Sequence, residues 1–69
     1  MKSNNIITKN KIKYRLSSIS NSIENFTWDW DEHCKVQPDS ELVYEDKTGQ
    51  EYVIYIKNDN IVGEFLNKD

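Results

Sequence analysis

The stretch ELVYEDKTGQEYVIYIKNDNIVGEFL, residues 41–66, decides the fold of this chain. It contains three runs rich in the β-branched and aromatic residues that favour strands: residues 41–45, 52–56 and 61–66. Gly49 ends the first connection, which is typical of a three-residue hairpin loop with a left-handed last residue. Asn58 and Asp59 tolerate positive φ and predict a two-residue turn in the second connection. The stretch therefore predicts a three-stranded antiparallel meander.

The two turns set the register of the predicted strands. The first turn gives the pairs Asp46–Gln50, Tyr44–Tyr52 and Leu42–Ile54. The second gives the pairs Lys57–Asn60, Ile56–Ile61, Ile54–Gly63 and Tyr52–Phe65. One face is then almost wholly apolar and is expected to be the core face: Leu42, Tyr44, Tyr52, Ile54, Ile56, Ile61, Gly63 and Phe65. In mid-strand, Gly63 is expected to leave room for a side chain from an opposite layer.

The other face of the predicted sheet is half apolar and half acidic. It carries Val43, Glu45, Glu51, Val53, Tyr55, Lys57, Val62, Glu64 and Leu66. Its apolar members form a stripe too continuous for a lone small sheet in water. We therefore expect this face to be exposed or to form an interface, with a homodimer through it or through the sheet edges.

A helix is expected to cover the core face. Six apolar residues between positions 10 and 30 recur at helical spacing: Ile12, Leu16, Ile19, Ile23, Phe26 and Trp30. Thr8 and Asn10 are candidate caps for its start. Against the helix, the segment is rich in Ser and Asn, and residues 11–17 alternate as a strand would. The sequence thus predicts an α+β fold, one amphipathic helix on a three- to four-stranded antiparallel sheet, with a small all-β barrel as the alternative.

Length and cysteine content limit the kind of protein. With 69 residues the chain has room for a single domain, of which residues 1–8 are expected to be loose. Because Cys34 is the single cysteine, no internal disulfide forms, which favours a reducing, cytoplasmic location. No apolar run approaches the length of a membrane span, so no membrane partner is expected.

The sequence offers little for catalysis or cofactor binding. His33 and Cys34 are the only adjacent pair of strong metal ligands, whereas a closed zinc site needs about four. There is no Gly-rich phosphate loop and no nucleophile elbow. A chain this short also has little concavity for a catalytic pair of carboxylates. We therefore expect a protein that is not an enzyme and that binds no metal and no cofactor.

Charge is segregated along the chain, although the net charge is only −3. Residues 1–23 carry five basic residues and no acid, whereas residues 24–46 carry eight acids and one lysine. Segregation of this kind bears on partners, unless the two blocks neutralise each other within the fold. The basic stretch Lys9–Arg15 is what a small nucleic-acid-binding protein would use, although a net-acidic chain is atypical of that class.

The acidic block is the sharper feature. Residues 28–32, Trp-Asp-Trp-Asp-Glu, interleave two tryptophans with three carboxylates. Aromatic anchors beside steering charges are typical of a protein-binding patch. Further carboxylates follow in residues 40–46, with Glu51 and Glu64 expected beside Glu45 on the outer sheet face.

In kind, this short acidic chain resembles the small inhibitor proteins that phages make to disable host factors. Segments 28–32 and 40–46 carry the likeness. Some proteins of that class are similar to DNA in charge and shape, and bind histone-like nucleoid proteins, uracil-DNA glycosylase, restriction enzymes or CRISPR effectors. The resemblance implies that the carboxylates occupy the DNA site of a basic protein. It also requires the basic residues 2–15 to point away from that partner.

The sequence therefore predicts a non-enzymatic inhibitor that covers the nucleic-acid-binding site of a basic host protein, such as a histone-like nucleoid protein, and binds no nucleic acid itself. The alternatives are a general adaptor or immunity-type module, and a small nucleic-acid-binding protein that uses Lys9–Arg15. The predicted partner-binding residues combine the acidic block with the outer sheet face: Glu24, Trp28, Asp29, Trp30, Asp31, Glu32, Glu41, Glu45, Asp46, Glu51, Tyr55 and Glu64.

Overall fold

The computed structural model describes residues 4–67 and shows five antiparallel strands that curl into a half-barrel. Neighbours in the sheet follow chain order: β1 Ile6–Lys9, β2 Ile12–Ser20, β3 Ser40–Glu45, β4 Glu51–Lys57 and β5 Asn60–Asn67. The long β2–β3 connection contains two single-turn 3-10 helices, Ile23–Asn25 and Trp30–Glu32. Across residues 4–67 there is no helix long and apolar enough to cross a membrane.

The predicted α+β fold is wrong, because residues 12–20 form β2 and residues 4–67 contain no amphipathic helix. Asn10 and Lys11 both have positive φ, 52° and 67°, and make a two-residue turn that pairs β1 with β2. The structure therefore follows the alternating pattern of residues 11–17 and not the helical spacing of the apolar residues. Tyr14, for example, is buried on one face of the sheet. Ile12 and Ile19, expected on the helix stripe, are instead exposed at 41% and 46%. The all-β alternative is nearer to the observed half-barrel.

The predicted register is right for β3–β4 and for the two pairs of β4–β5 next to the turn, and wrong by one residue beyond them. Tyr44 pairs with Tyr52 and Leu42 with Ile54, as the first turn requires. The second turn also forms as expected, with Asn58 and Asp59 at φ 49° and 65° and Ile56 opposite Ile61. A register shift then leaves Val62 as an extra residue, because Tyr55 pairs with Gly63. Because of this bulge, the side chains of β5 after Val62 lie on the faces opposite to those predicted.

Both faces of the sheet are buried. The inner face of the half-barrel carries one core: Tyr14, Leu42, Tyr44, Ile54 and Ile56, flanked by Ile7, Leu16, Tyr52 and Leu66. The outer face carries a second core: Cys34, Val43, Val53 and Tyr55, flanked by Phe26, Trp28, Trp30, Val62 and Phe65. The bulge explains why Phe65 lies on the outer face and Leu66 on the inner one, the reverse of the prediction.

The outer face is therefore covered, contrary to the prediction that it is exposed or forms an interface. The exposed fractions of Val43, Val53 and Tyr55 are 4%, 0% and 0%. Residues 21–39, between β2 and β3, supply the covering side chains. Because the chain buries its own apolar stripe, the stripe gives no reason to expect a homodimer through this face.

The N-terminal segment is held from Asn4 onward. The backbone oxygen of Asn4 accepts a hydrogen bond of 2.8 Å from the Tyr44 hydroxyl. The backbone oxygen of Asn5 accepts one of 2.8 Å from the Leu16 amide, and β1 begins at Ile6. Residues 4–8 are therefore part of the fold, although a loose segment was predicted, and residues 1–3 lie outside the described residues.

Candidate protein-binding surface

The segment that covers the outer face, residues 21–39, is named here the acidic loop. Local hydrogen bonds, including those of its two 3-10 helices, order this loop. The Trp30 carbonyl accepts from the amides of His33, at 3.0 Å, and Cys34, at 2.8 Å. Asn25 donates to the Ser22 carbonyl at 2.9 Å, and Asp39 donates to the Ile56 carbonyl at 2.7 Å. The loop is thus folded upon itself and tied to the end of β4.

Glu41, on β3, holds the middle of the acidic loop by a hydrogen bond. Its side chain is 0% exposed and one carboxylate oxygen accepts a hydrogen bond of 3.1 Å from the Thr27 amide. Glu41 lies opposite Tyr55 on the neighbouring strand. Burial first, and then the charge of Glu41, raise the pKa of the Tyr55 hydroxyl above its usual range. The hydrogen bond from the Thr27 amide to Glu41 ties the backbone of the loop to β3.

His33, Cys34 and Gly63 form the second attachment. The His33 ring stacks on Phe65 with centroids 3.7 Å apart and planes inclined by 7°. A Cβ at Gly63 would lie 2.5 Å from the Cys34 sulfur and from the His33 carbonyl oxygen. Gly63 therefore leaves room for a side chain of an opposite layer, as predicted, although that layer is the acidic loop on the outer face. Burial raises the pKa of the Cys34 thiol.

Aromatic side chains complete the attachment. The Trp28 ring packs edge-on against the Phe65 ring, with ring centroids 5.9 Å apart. The ring centroids of Phe26 and Tyr55 are also 5.9 Å apart. Trp28 and Trp30 are half-buried against the outer core, so most of each ring serves to anchor the loop. The two tryptophans predicted to contact a partner thus chiefly bind the chain's own sheet.

Four of the predicted partner-binding carboxylates are exposed on the acidic loop: Glu24, Asp29, Asp31 and Glu32. None of the four forms a salt bridge with a residue of the described range 4–67. The attachments beneath the loop order its backbone, so the four carboxylates are displayed on a folded segment without a salt-bridge partner among residues 4–67.

Two predicted partner-binding residues are not at the surface at all. Glu41 and Tyr55 are each 0% exposed. Residues 41 and 55 lie on the outer face, which the sequence predicts to be exposed or to form an interface and which the acidic loop covers instead. These two assignments are corrected accordingly.

The remaining predicted acids lie apart from the loop and are largely engaged. Asp46 caps its own turn by accepting from the Thr48 hydroxyl and amide and from the Gln50 amide. The hydrogen bond from the Thr48 side chain lowers the pKa of Asp46. Glu64 accepts from the Tyr52 hydroxyl, and Glu51 accepts from the Asn67 amide group at 3.3 Å. Glu45 is exposed at the far end of β3.

Four basic residues lie at the end of the sheet opposite the start of the acidic loop, whereas Lys35 is exposed on the loop itself. Arg15 pairs with Glu45 at one end of β2–β3, and Ser20 pairs with Glu41 at the other, where the loop begins. Four cations line an open groove of about 960 Å³ there: Lys11, Lys13, Arg15 and Lys47. Sequence reasoning missed Lys47, which belongs to this group only because the β3–β4 turn and the β1–β2 turn meet at one end of the antiparallel sheet.

Residues 4–67 bring together no group of three or more His, Cys, Asp or Glu side chains that could hold a metal ion. Comparison with known proteins finds no matching protein family, no matching curated protein and no matching solved structure.

Proposed function

We propose that this chain is a non-enzymatic, cytoplasmic binding protein whose acidic loop occupies the basic, nucleic-acid-binding site of another protein. The observation that carries the proposal is the display of Glu24, Asp29, Asp31 and Glu32, four exposed carboxylates without a salt-bridge partner in residues 4–67. A histone-like nucleoid protein exemplifies the class of partner.

Preorganisation supports this proposal. A mobile acidic segment would lose conformational entropy on binding, which weakens association. Here Glu41 holds the loop at Thr27, and His33 and Cys34 hold it against Phe65 and Gly63. Much of the ordering has thus occurred in the free protein, as is required of a surface that imitates a rigid phosphate backbone.

Charge polarity supports it as well. The resemblance to acidic inhibitors requires the basic residues of the N-terminal part to point away from the partner. Lys11, Lys13 and Arg15 lie at the end of the sheet opposite the start of the acidic loop. A basic partner can therefore approach the loop without meeting these cations first.

The test is differential capture from a bacterial lysate, read by mass spectrometry. Three immobilised forms are compared: the wild type, Asp31→Lys with Glu32→Lys, and the control Lys11→Glu with Lys13→Glu. The proposal expects nucleic-acid-binding proteins that the wild type and the control retain and that the Asp31/Glu32 variant loses. A captured protein should also release labelled DNA when the wild type is added.

The opposite pattern decides against the proposal. If retention depends on Lys11 and Lys13 and survives reversal of Asp31 and Glu32, the acidic loop is not the binding surface. Proteins that bind all three forms equally, through the aromatic residues alone, would favour a general adaptor.

A further inference from the structure

The basic groove is a surface feature that the acidic loop does not use. Its floor and walls come from β1, β2 and the β3–β4 turn. Around the cations it exposes apolar surface, with Ile6 at 53% and Ile12 at 41%. Exposed isoleucines beside cations are typical of a docking surface for a segment that is acidic and partly apolar.

The groove cations are not neutralised within the described part of the chain. None of Lys11, Lys13 and Lys47 has a salt bridge with another of residues 4–67, and Arg15 has none with its cross-strand neighbour Glu45. Asp46, the other acid on the rim, is committed to Thr48 and Gln50. The groove therefore presents net positive charge that is available to an external acidic group.

The chain itself carries a segment of the required chemistry. The acidic loop exposes Glu24, Asp29, Asp31 and Glu32, together with Val36 at 46% and a half-exposed Trp30. This loop cannot reach the groove of its own molecule, because it is attached at Gly63 and Phe65 and begins at the opposite end of the sheet. It can reach the groove of a second copy.

We propose that the basic groove of one copy binds the acidic loop of another, so that the protein associates head to tail. The two surfaces differ, so the contact is heterologous and leaves a free loop at one end and a free groove at the other. Further copies can add at either end. Self-association thereby covers the acidic loop with a surface that belongs to the protein's own fold.

The physical character of the contact follows from its charges. The two surfaces are exposed and attract through water, so the association is weak and salt screens it. Light scattering should show a mass that rises with concentration above 8.2 kDa at low salt. At about 1 M salt, where the Debye length is about 3 Å, the mass should return to that of one chain.

Two complementary variants test the pairing directly. The groove variant, Lys11→Gln with Lys13→Gln, keeps its acidic loop, and the loop variant, Asp31→Asn with Glu32→Gln, keeps its groove. Each alone should stay monomeric at concentrations where the wild type associates. Mixed at equal concentrations they should form a 1:1 pair that grows no further, because only one loop and one groove remain.

A quadruple variant with all four changes is the matched control, since it restores the net charge of −3. It should not pair with the groove variant. Circular dichroism melts of every form show whether a lost association reflects unfolding. The experiment contains no other protein, so it stands or falls independently of the partner proposed above.

Two results overturn the inference. One is a wild type that stays at 8.2 kDa at millimolar concentration and low salt, together with no pair in the mixture. The other is binding of an oligo(dT) strand or a DNA duplex to the wild type that disappears in the groove variant, with no 1:1 pair. That second result would make the groove a nucleic-acid site.

Discussion

Lys9 on β1 and Glu64 on β5 form a salt bridge of 3.5 Å, although their strands are the two outermost of the sheet. The contact spans the inner face, where the Lys9 ammonium also lies 5.5 Å from the centre of the Tyr52 ring. The Tyr52 hydroxyl donates to Glu64. Both charged side chains are about one-third exposed, so the salt bridge by itself contributes little to the stability of the fold. It shows that the sheet curls enough to bring its two outermost strands into contact.

Tyr52 gives this contact a measurable pH signature. Burial first, and then the hydrogen bond to Glu64 and its charge, raise the pKa of Tyr52 to about 12. In the unfolded chain the hydroxyl has its ordinary pKa of about 10, so the folded state favours the protonated form. This contribution is fully present below about pH 10 and is lost between about pH 10 and 12.

Replacing Glu64 by Gln should lower the pKa of Tyr52 towards its ordinary value, because the carboxylate charge is removed. The chemical shift of the Tyr52 ring carbon that bears the hydroxyl, measured by NMR over a range of pH, reports this pKa. The wild type should lose thermal stability more steeply than the variant between about pH 10 and 12. An unchanged Tyr52 titration in Glu64→Gln would contradict the contact.

The inner core should not tolerate a cavity. Ile54 is 5% exposed and lies between Leu42 and Glu64 in the sheet. Ile54→Ala should reduce the free energy of unfolding by about 2–5 kcal/mol, which in a domain this small can abolish folding. Ile61→Ala is the matched control because Ile61 is 49% exposed, and it should cost no more than about 1 kcal/mol in urea denaturation.

Attachment of the acidic loop should depend on the absence of a side chain at residue 63. Gly63→Ala places a methyl group against the Cys34 sulfur and the His33 carbonyl, and should cost about 1–3 kcal/mol. The loop would have to lift. Tryptophan emission should therefore shift to longer wavelength, and Cys34 should react faster with a thiol reagent.

Gly49→Ala separates this effect from general loss of stability. Gly49 has φ of 90° and no atom within 4 Å of an added Cβ, so the substitution strains only its own turn. It should destabilise the protein without changing the tryptophan emission of the folded state. If Gly63→Ala leaves emission and Cys34 reactivity as in the wild type, the loop is not seated on Gly63.

The β3–β4 hairpin shows how much of this fold could be predicted from sequence. Asp46 and Gly49 define a short loop of one favoured geometry, and the strand pairs Tyr44–Tyr52 and Leu42–Ile54 follow from it. The turn at Asn58 was predicted for the same reason. Beyond it the bulge at Val62 reverses the faces of β5, and a bulge of this kind depends on what packs against both faces.

The structures of β2 and of the acidic loop could not be predicted from the sequence, for a different reason. Residues 12–20 carry a helical and an alternating pattern together, and the turn that selects the strand, Asn10–Lys11, contains no glycine. The exposed acids Asp31 and Glu32 could be predicted from charge alone. Burial of Glu41 and Tyr55 could not, because it arises when the loop folds over the outer face, a contact between distant parts of the chain.

The association rate constant with the captured partner, measured over a range of salt concentrations, tests the central claim most directly. If the acidic loop steers binding, Asp31→Lys with Glu32→Lys should lower the rate constant at low salt by about 10-fold or more and flatten its salt dependence. Lys11→Glu with Lys13→Glu should leave the rate constant as high as in the wild type. The reverse ranking, with the lysine variant slow and the Asp31/Glu32 variant fast, would contradict the account.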